Sequence, residues 1–87
     1  MYLLFIFFQL GFSQETQIET LQKKLYSEKD TSKQLEILND IVAIIFNQDI
    51  AEALKYAKQG VQLSEKAGNV NWQPKFYEMQ GRMHANL

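Results

Sequence analysis

Lys75, Glu78, Arg82 and Asn86 stand three or four positions apart near the end of an 87-residue chain. That spacing puts all four on one face of a helix. They carry both signs of charge and an amide, so the chemistry open to them is ion pairing and hydrogen bonding. Its plainest part is Glu78–Arg82, an ordinary i,i+4 pair worth a few tenths of a kcal/mol.

Little else in the chain has the pattern of a reactive site. His84 is the single histidine, which excludes a histidine-based metal cluster. Its neighbours Met83 and Ala85 give it none of the charged surroundings of a phosphate-accepting histidine, so a packed or exposed helix position is its plain reading. Gly11, Gly60, Gly68 and Gly81 never cluster into a phosphate-cradling loop. Ser13, Ser27, Ser32 and Ser64 lack a nucleophile-elbow context. The chain has no cysteine, hence no disulfide framework and no thiolate metal site. Glu19 and Glu28 each lie four residues from a lysine, as on a solvated helix face. Trp72, Phe76 and Tyr77 form an aromatic cluster that either packs on a neighbouring helix, the plainer use, or makes a ligand patch. The expectation is a non-catalytic chain without cofactor or metal.

The elements that present these residues belong to one small domain. A 46% hydrophobic and 22% charged composition is that of a soluble globular protein. A net charge of −1 supplies no electrostatic footprint for DNA, RNA or an anionic membrane. The densest basic spot, QKKL at 22–25, offers two lysines of the kind a helix surface solvates.

Residues 1–13 read as a secretory signal peptide. Large apolar residues run from Tyr2 to Phe8, pause at Gln9 and resume at Leu10. A stretch of about 11 residues is short for a bilayer span, which needs ~20, and suits the apolar core of a signal. Gly11 and Ser13 are small and two apart, so cleavage is expected after Ser13, leaving Gln14 at the N-terminus. No Lys or Arg precedes the apolar run, so either Met1 is not the natural start or the signal is minimal. A buried N-terminal helix and an uncleaved anchor are the other two readings.

From Gln14 onward the pattern is helical, with no strands. The first helix is expected over 15–28, with Ile18, Leu21 and Leu25 on its apolar face. Asp30 or Thr31 can cap a second helix over 32–47. Its IVAIIF run suits a buried strand. However, Leu35, Leu38, Ile41 and Ile45 continue one helical stripe, and Ile37 and Ile44 start another. A helix apolar on two sides is one packed between two neighbours. Asp49 and Glu52 have capping-box spacing at the start of a third helix over 50–67, and Gly68 ends it at the C′ position. Asn71 can cap a fourth, with Pro74 in its first turn, where a missing N–H costs nothing. Phe76, Met79, Met83 and Leu87 lie on one side of that helix, which still runs at the last residue.

The third helix has an unusual inner face: Ala53, Ala57 and Gly60. Small side chains let helix backbones approach closely. A glycine inside a helix costs ~1 kcal/mol against alanine, which calls for a packing reason. Ile37, Ile41 and Ile44 of the second helix are the expected bulk beside it.

On these residues the chain resembles the tetratricopeptide repeat family. In QDIAEALKYAKQGVQL, Gln48, Asp49 and Ile50 stand at the turn where the family has Gly-Asp-Tyr. Ala53 matches the hallmark alanine, Gly60 the second small position, and Val61 and Leu63 the trailing aliphatics; Tyr56 falls beside the aromatic position. Ile37 and Ile44 stand where Trp or Leu and Tyr are usual. A partial second copy begins in YEMQGRMHANL, with Gly81 at the small first-helix position, Tyr77 at the aromatic one and His84 where Tyr is usual. Ile41 takes the place that Gly81 fills in the second copy, and the two are about 40 residues apart, against 34 for a standard repeat. Lengthened repeats of this kind look like those at the exported N-terminus of bacterial sensor kinases and regulators.

The resemblance implies an all-α fold of antiparallel helical hairpins, the start of an α-solenoid. Residues 14–30 would be an N-terminal capping helix, 31–69 one repeat, and 70–87 the first helix of a second, incomplete repeat. Ile37, Ile41, Ile44, Ala53, Ala57, Gly60 and Gly81 would be its packing positions. In such arrays the first helix of each repeat lines a concave groove that binds peptides or proteins. Lys75, Glu78, Arg82 and Asn86 correspond to that face. On the second helix the equivalent Leu35, Leu38, Val42 and Ile45 are apolar, so the capping helix is expected to cover them and the groove to start at the fourth helix. The implied function is a non-catalytic module that binds a protein or peptide, exported to the periplasm or membrane surface as the front end of a larger bacterial signalling protein. Membrane contact would come only through the signal or a downstream span. The alternative is a small helical structural or self-associating protein with no groove ligand.

Overall fold

The computed structural model describes residues 14–87, with side chains from Thr16 onward. The expected signal segment, residues 1–13, lies outside the described residues. Those described form four α-helices and no strand: α1 (Gln14–Ser27), α2 (Thr31–Ile45), α3 (Ile50–Ala67) and α4 (Gln73–Asn86).

Local chemistry places the helix ends. Asp30 caps α2, its carboxylate accepting the Ser32 N–H at 3.1 Å. Asp49 caps α3 and accepts the Glu52 N–H at 3.0 Å. Each satisfies an orphan donor of the first turn. The reciprocal half of the capping box does not form. The Asp49 N–H goes to the Ile45 carbonyl at 2.9 Å, and the Glu52 carboxylate pairs with Lys55 at 3.4 Å. Gly68 ends α3 at φ 64° and ψ 32°, the left-handed region that a Cβ disfavours. From there the Asn69 N–H returns to the Ser64 carbonyl at 2.9 Å.

The start of α4 differs from expectation. Asn71 is not its cap; Asn69 organises the turn. The Asn69 side-chain oxygen accepts the N–H groups of Asn71 (3.2 Å) and Trp72 (3.1 Å), and its carbonyl accepts that of Gln73 at 3.0 Å. Pro74 lies in the first turn, where no intrahelical donor is lost.

Consecutive helices pack against each other, so α2 lies between α1 and α3, and α3 between α2 and α4. The end of α3 returns to the start of α2, with the Asn69 amide 3.4 Å from the Ser32 hydroxyl. The double-sided apolar pattern of α2 has the use it suggested. Ile41, Val42 and Ile45 join Ala53, Leu54, Ala57 and Met83 in one core cluster, with Ile18, Leu21 and Leu25 of α1 packed on it. Leu35 and Leu38 join Val61 and Phe76 in another. Each fully buried Leu, Ile, Val, Phe or Met side chain among them contributes about 1.5–3 kcal/mol. The buried Ser64 hydroxyl donates to the Val61 carbonyl at 3.0 Å, so it leaves no orphan polar group in the core.

The small face of α3 is used differently from the sequence reading. Ile41 does share a cluster with Ala53 and Ala57, and Ile37 is partly buried against it; Ile44 is half-buried. At Gly60, however, the bulk comes from the following helix. A Cβ there would overlap the ring of Phe76, which is fully buried. The close approach at Gly60 is therefore between α3 and α4. Gly81 packs on nothing: it is exposed, and no atom lies within 4 Å of where its Cβ would stand. No helix among the described residues is long and apolar enough to cross a membrane.

Candidate interaction groove

The apolar and polar positions of α4 separate by helical period. Phe76 and Met83 are buried and Met79 half-buried, whereas Lys75, Glu78, Arg82 and Asn86 are exposed. The four candidates do share a stripe, and each is held on its own helix. Arg82 pairs with Glu78 at 2.5 Å, the two side chains remaining 61% and 69% exposed, so solvent screens the pair and it adds at most ~1 kcal/mol. The Asn86 amide donates to the Arg82 carbonyl at 2.8 Å. The Lys75 ammonium sits 4.7 Å from the centre of the Trp72 ring, a cation–π contact.

Beside this stripe lies a groove of about 240 Å³ between α2 and α4. Asn39, Val42, Ala43 and Phe46 form one wall; Met79, Met83 and Arg82 form the other. Arg82 is the one predicted residue that lines it. Leu35, Leu38, Val42 and Ile45 are buried, but α1 is not their only cover: Leu35 and Leu38 cluster with Val61 and Phe76, and Val42 lines the groove. The groove does not begin at α4 alone, because Asn39, Ala43 and Phe46 of α2 contribute. Their signal was present: they fall one step round the helix from the buried stripe, at four- and three-residue spacing.

This volume is below the 300–1,000 Å³ usual for small-molecule sites. It suits single side chains of a polypeptide. The facing phenylalanine and two methionines make the lining largely apolar, and the methionines can re-pack around different shapes. Arg82 and Asn39 supply a cation and an amide at the rim.

The aromatic cluster divides. Phe76 is core, and Trp72 packs half-buried beside it with ring centroids 5.7 Å apart. Tyr77 turns outward and its hydroxyl donates to the Glu65 carboxylate of α3. That hydrogen bond, helped by some desolvation and by the negative charge of Glu65, raises the Tyr77 phenol above its ordinary pKa of 10.0. His84 is exposed, and no group of His, Asp or Glu among the described residues is arranged to hold a metal ion.

Residues 14–87 thus define an all-helical protein of sequentially packed helices with a shallow groove between its second and fourth helices. No family model, curated protein or solved structure matches the chain.

Proposed function

We propose that the chain is a non-catalytic helical-repeat module, of tetratricopeptide type, that binds a protein or peptide partner in the groove between α2 and α4. The observation that carries this reading is the groove itself. Its walls come from the two helices that would be the first of successive repeats, and their apolar lining carries polar groups only at the rim. The close seating of Phe76 on Gly60 supports it further, since repeat stacking depends on such large-on-small contacts between neighbouring helices. With residues 1–13 acting as a signal, the module works outside the cytoplasm, as the front end of a larger bacterial signalling protein.

The test is capture of a partner by the native chain and by a variant carrying Lys75→Glu, Glu78→Lys and Arg82→Glu. The exchange keeps an oppositely charged pair at 78 and 82, so the helix retains its support while the field at the rim changes. Loss of the partner is expected. Unchanged capture would remove these residues from the site, and self-association as the sole interaction would favour a structural protein.

A further inference from the structure

A second cleft, sharing no residue with the first, lies between α1 and α3 and has a volume of about 800 Å³. Leu25, Leu38 and Leu63 give it an apolar floor. Its walls are rich in carboxamides: Gln22, Gln34, Gln59 and Gln62. Two are already oriented by the fold. Gln22 donates to the Tyr56 hydroxyl at 2.5 Å, and Gln34 to the Glu28 carbonyl at 2.6 Å. Gln59 and Gln62 are exposed on the α3 wall, facing open space. Tyr26 stands at the rim with 93% of its surface exposed, an unusual placement for a large ring.

The charges favour an anionic occupant. Lys55 and Lys66 line the cleft, and Glu52 is its one acid. Glu52 is engaged with Lys55 through an exposed contact. Lys66 has no ion-pair partner among the described residues. The two lysines are eleven positions apart, about 16 Å along a helix. That length matches about five residue steps of an extended chain. A carboxamide presents donor and acceptor together, as a peptide group does, so a row of glutamines can pair with an extended backbone whatever its side chains.

We propose that the cleft between α1 and α3 holds an extended acidic peptide of about six residues. Gln59 and Gln62 pair with its backbone, Lys66 and Lys55 take its carboxylates, and Tyr26 covers an apolar side chain. This does not depend on the α2–α4 groove.

The test is a nuclear magnetic resonance titration of the full, nitrogen-15-labelled chain with three synthetic hexapeptides of the same apolar residues: one with glutamates, one with glutamines, one with lysines. The side-chain amides of Gln59 and Gln62 should shift with the acidic peptide and saturate. The Lys66→Glu variant, checked for unchanged helicity, should bind it about tenfold more weakly. A shift confined to the Asn39 side-chain amide would report the other groove and overturn this proposal alone. It is also overturned by an equal response to the lysine peptide, by unchanged affinity in Lys66→Glu, or by no shift with any peptide. A single-stranded oligonucleotide serves as the anionic control; if it moves these amides as strongly as the acidic peptide, the site is not a peptide site.

Discussion

Gly60 and Gly81 are both helical glycines, and they should answer the same substitution with opposite signs. At Gly81 a methyl group meets open space. Gly81→Ala should therefore stabilise the chain by about 0.5–1 kcal/mol, through helix propensity and a less flexible unfolded state. At Gly60 the methyl overlaps the body of the Phe76 ring, which is fully buried and has nowhere to turn. Gly60→Ala should destabilise by about 1–3 kcal/mol despite its better propensity. Urea unfolding followed by circular dichroism reads both; equal effects would show that α4 does not seat on Gly60. Tyr77 offers a second check at this scale. Its hydrogen bond to Glu65 favours the neutral phenol, so its pKa lies above 10.0. The contribution to stability is complete below the unfolded value and is lost as pH rises through the folded one. Glu65→Gln should bring the phenol back toward its ordinary range. Ultraviolet titration of the phenolate, assigned with Tyr77→Phe, measures the change.

At the scale of elements, the turn from α3 to α4 hangs on one side chain. Asn69 accepts two backbone N–H groups through its amide oxygen and a third through its carbonyl. Asn69→Ala should cost about 1 kcal/mol, as the loss of a helix cap does. Asn71, whose exposed side chain makes no hydrogen bond to a described residue, should tolerate Ala within about 0.5 kcal/mol. Thermal melts of the two variants distinguish them, and a reversed order would return the cap to Asn71. The same turn sets the angle at which α4 meets α3, and so carries Phe76 to Gly60 and Arg82 to the groove rim.

The described residues form a thin unit, with extents of 48 × 32 × 17 Å between α-carbons. Helix axes pack about 8–10 Å apart, so a thickness of 17 Å between α-carbons holds no more than two layers, and every helix keeps a wet face. Each helix also packs chiefly on its sequence neighbours, an arrangement in which stability accumulates unit by unit. Small cores of this kind supply about 3–5 kcal/mol. The chain alone should unfold with less than about 5 kcal/mol of stability. A cooperative monomeric transition above that value, in denaturant titrations at two protein concentrations, would contradict this.

Much of the architecture was legible in the sequence because its determinants are local. Asp30, Asp49 and Gly68 act on backbone groups within five residues of themselves, and the 3.6-residue period of α2 and α4 marks their buried faces. The outward stripe of Lys75, Glu78, Arg82 and Asn86 follows from the same period. Three features needed the folded chain. Asn69 and Asn71 have the same side chain two positions apart, and only the path of the backbone after Gly68 decides which one ties the turn. Gly60 announces a close neighbour without naming it; Ile41 and Phe76 both had the bulk, and the rotation of α4 on α3 chose Phe76. The α2 wall of the groove was hidden because Asn39, Ala43 and Phe46 are ordinary at their own positions and become a wall when Met79 and Met83 arrive opposite. The sequence alone determined helices, the caps of α2 and α3, and faces, whose energies arise within a few residues. Which faces meet was decided in the tertiary structure, because alternative packings bury similar apolar area and differ only in how bulky side chains fit the small ones.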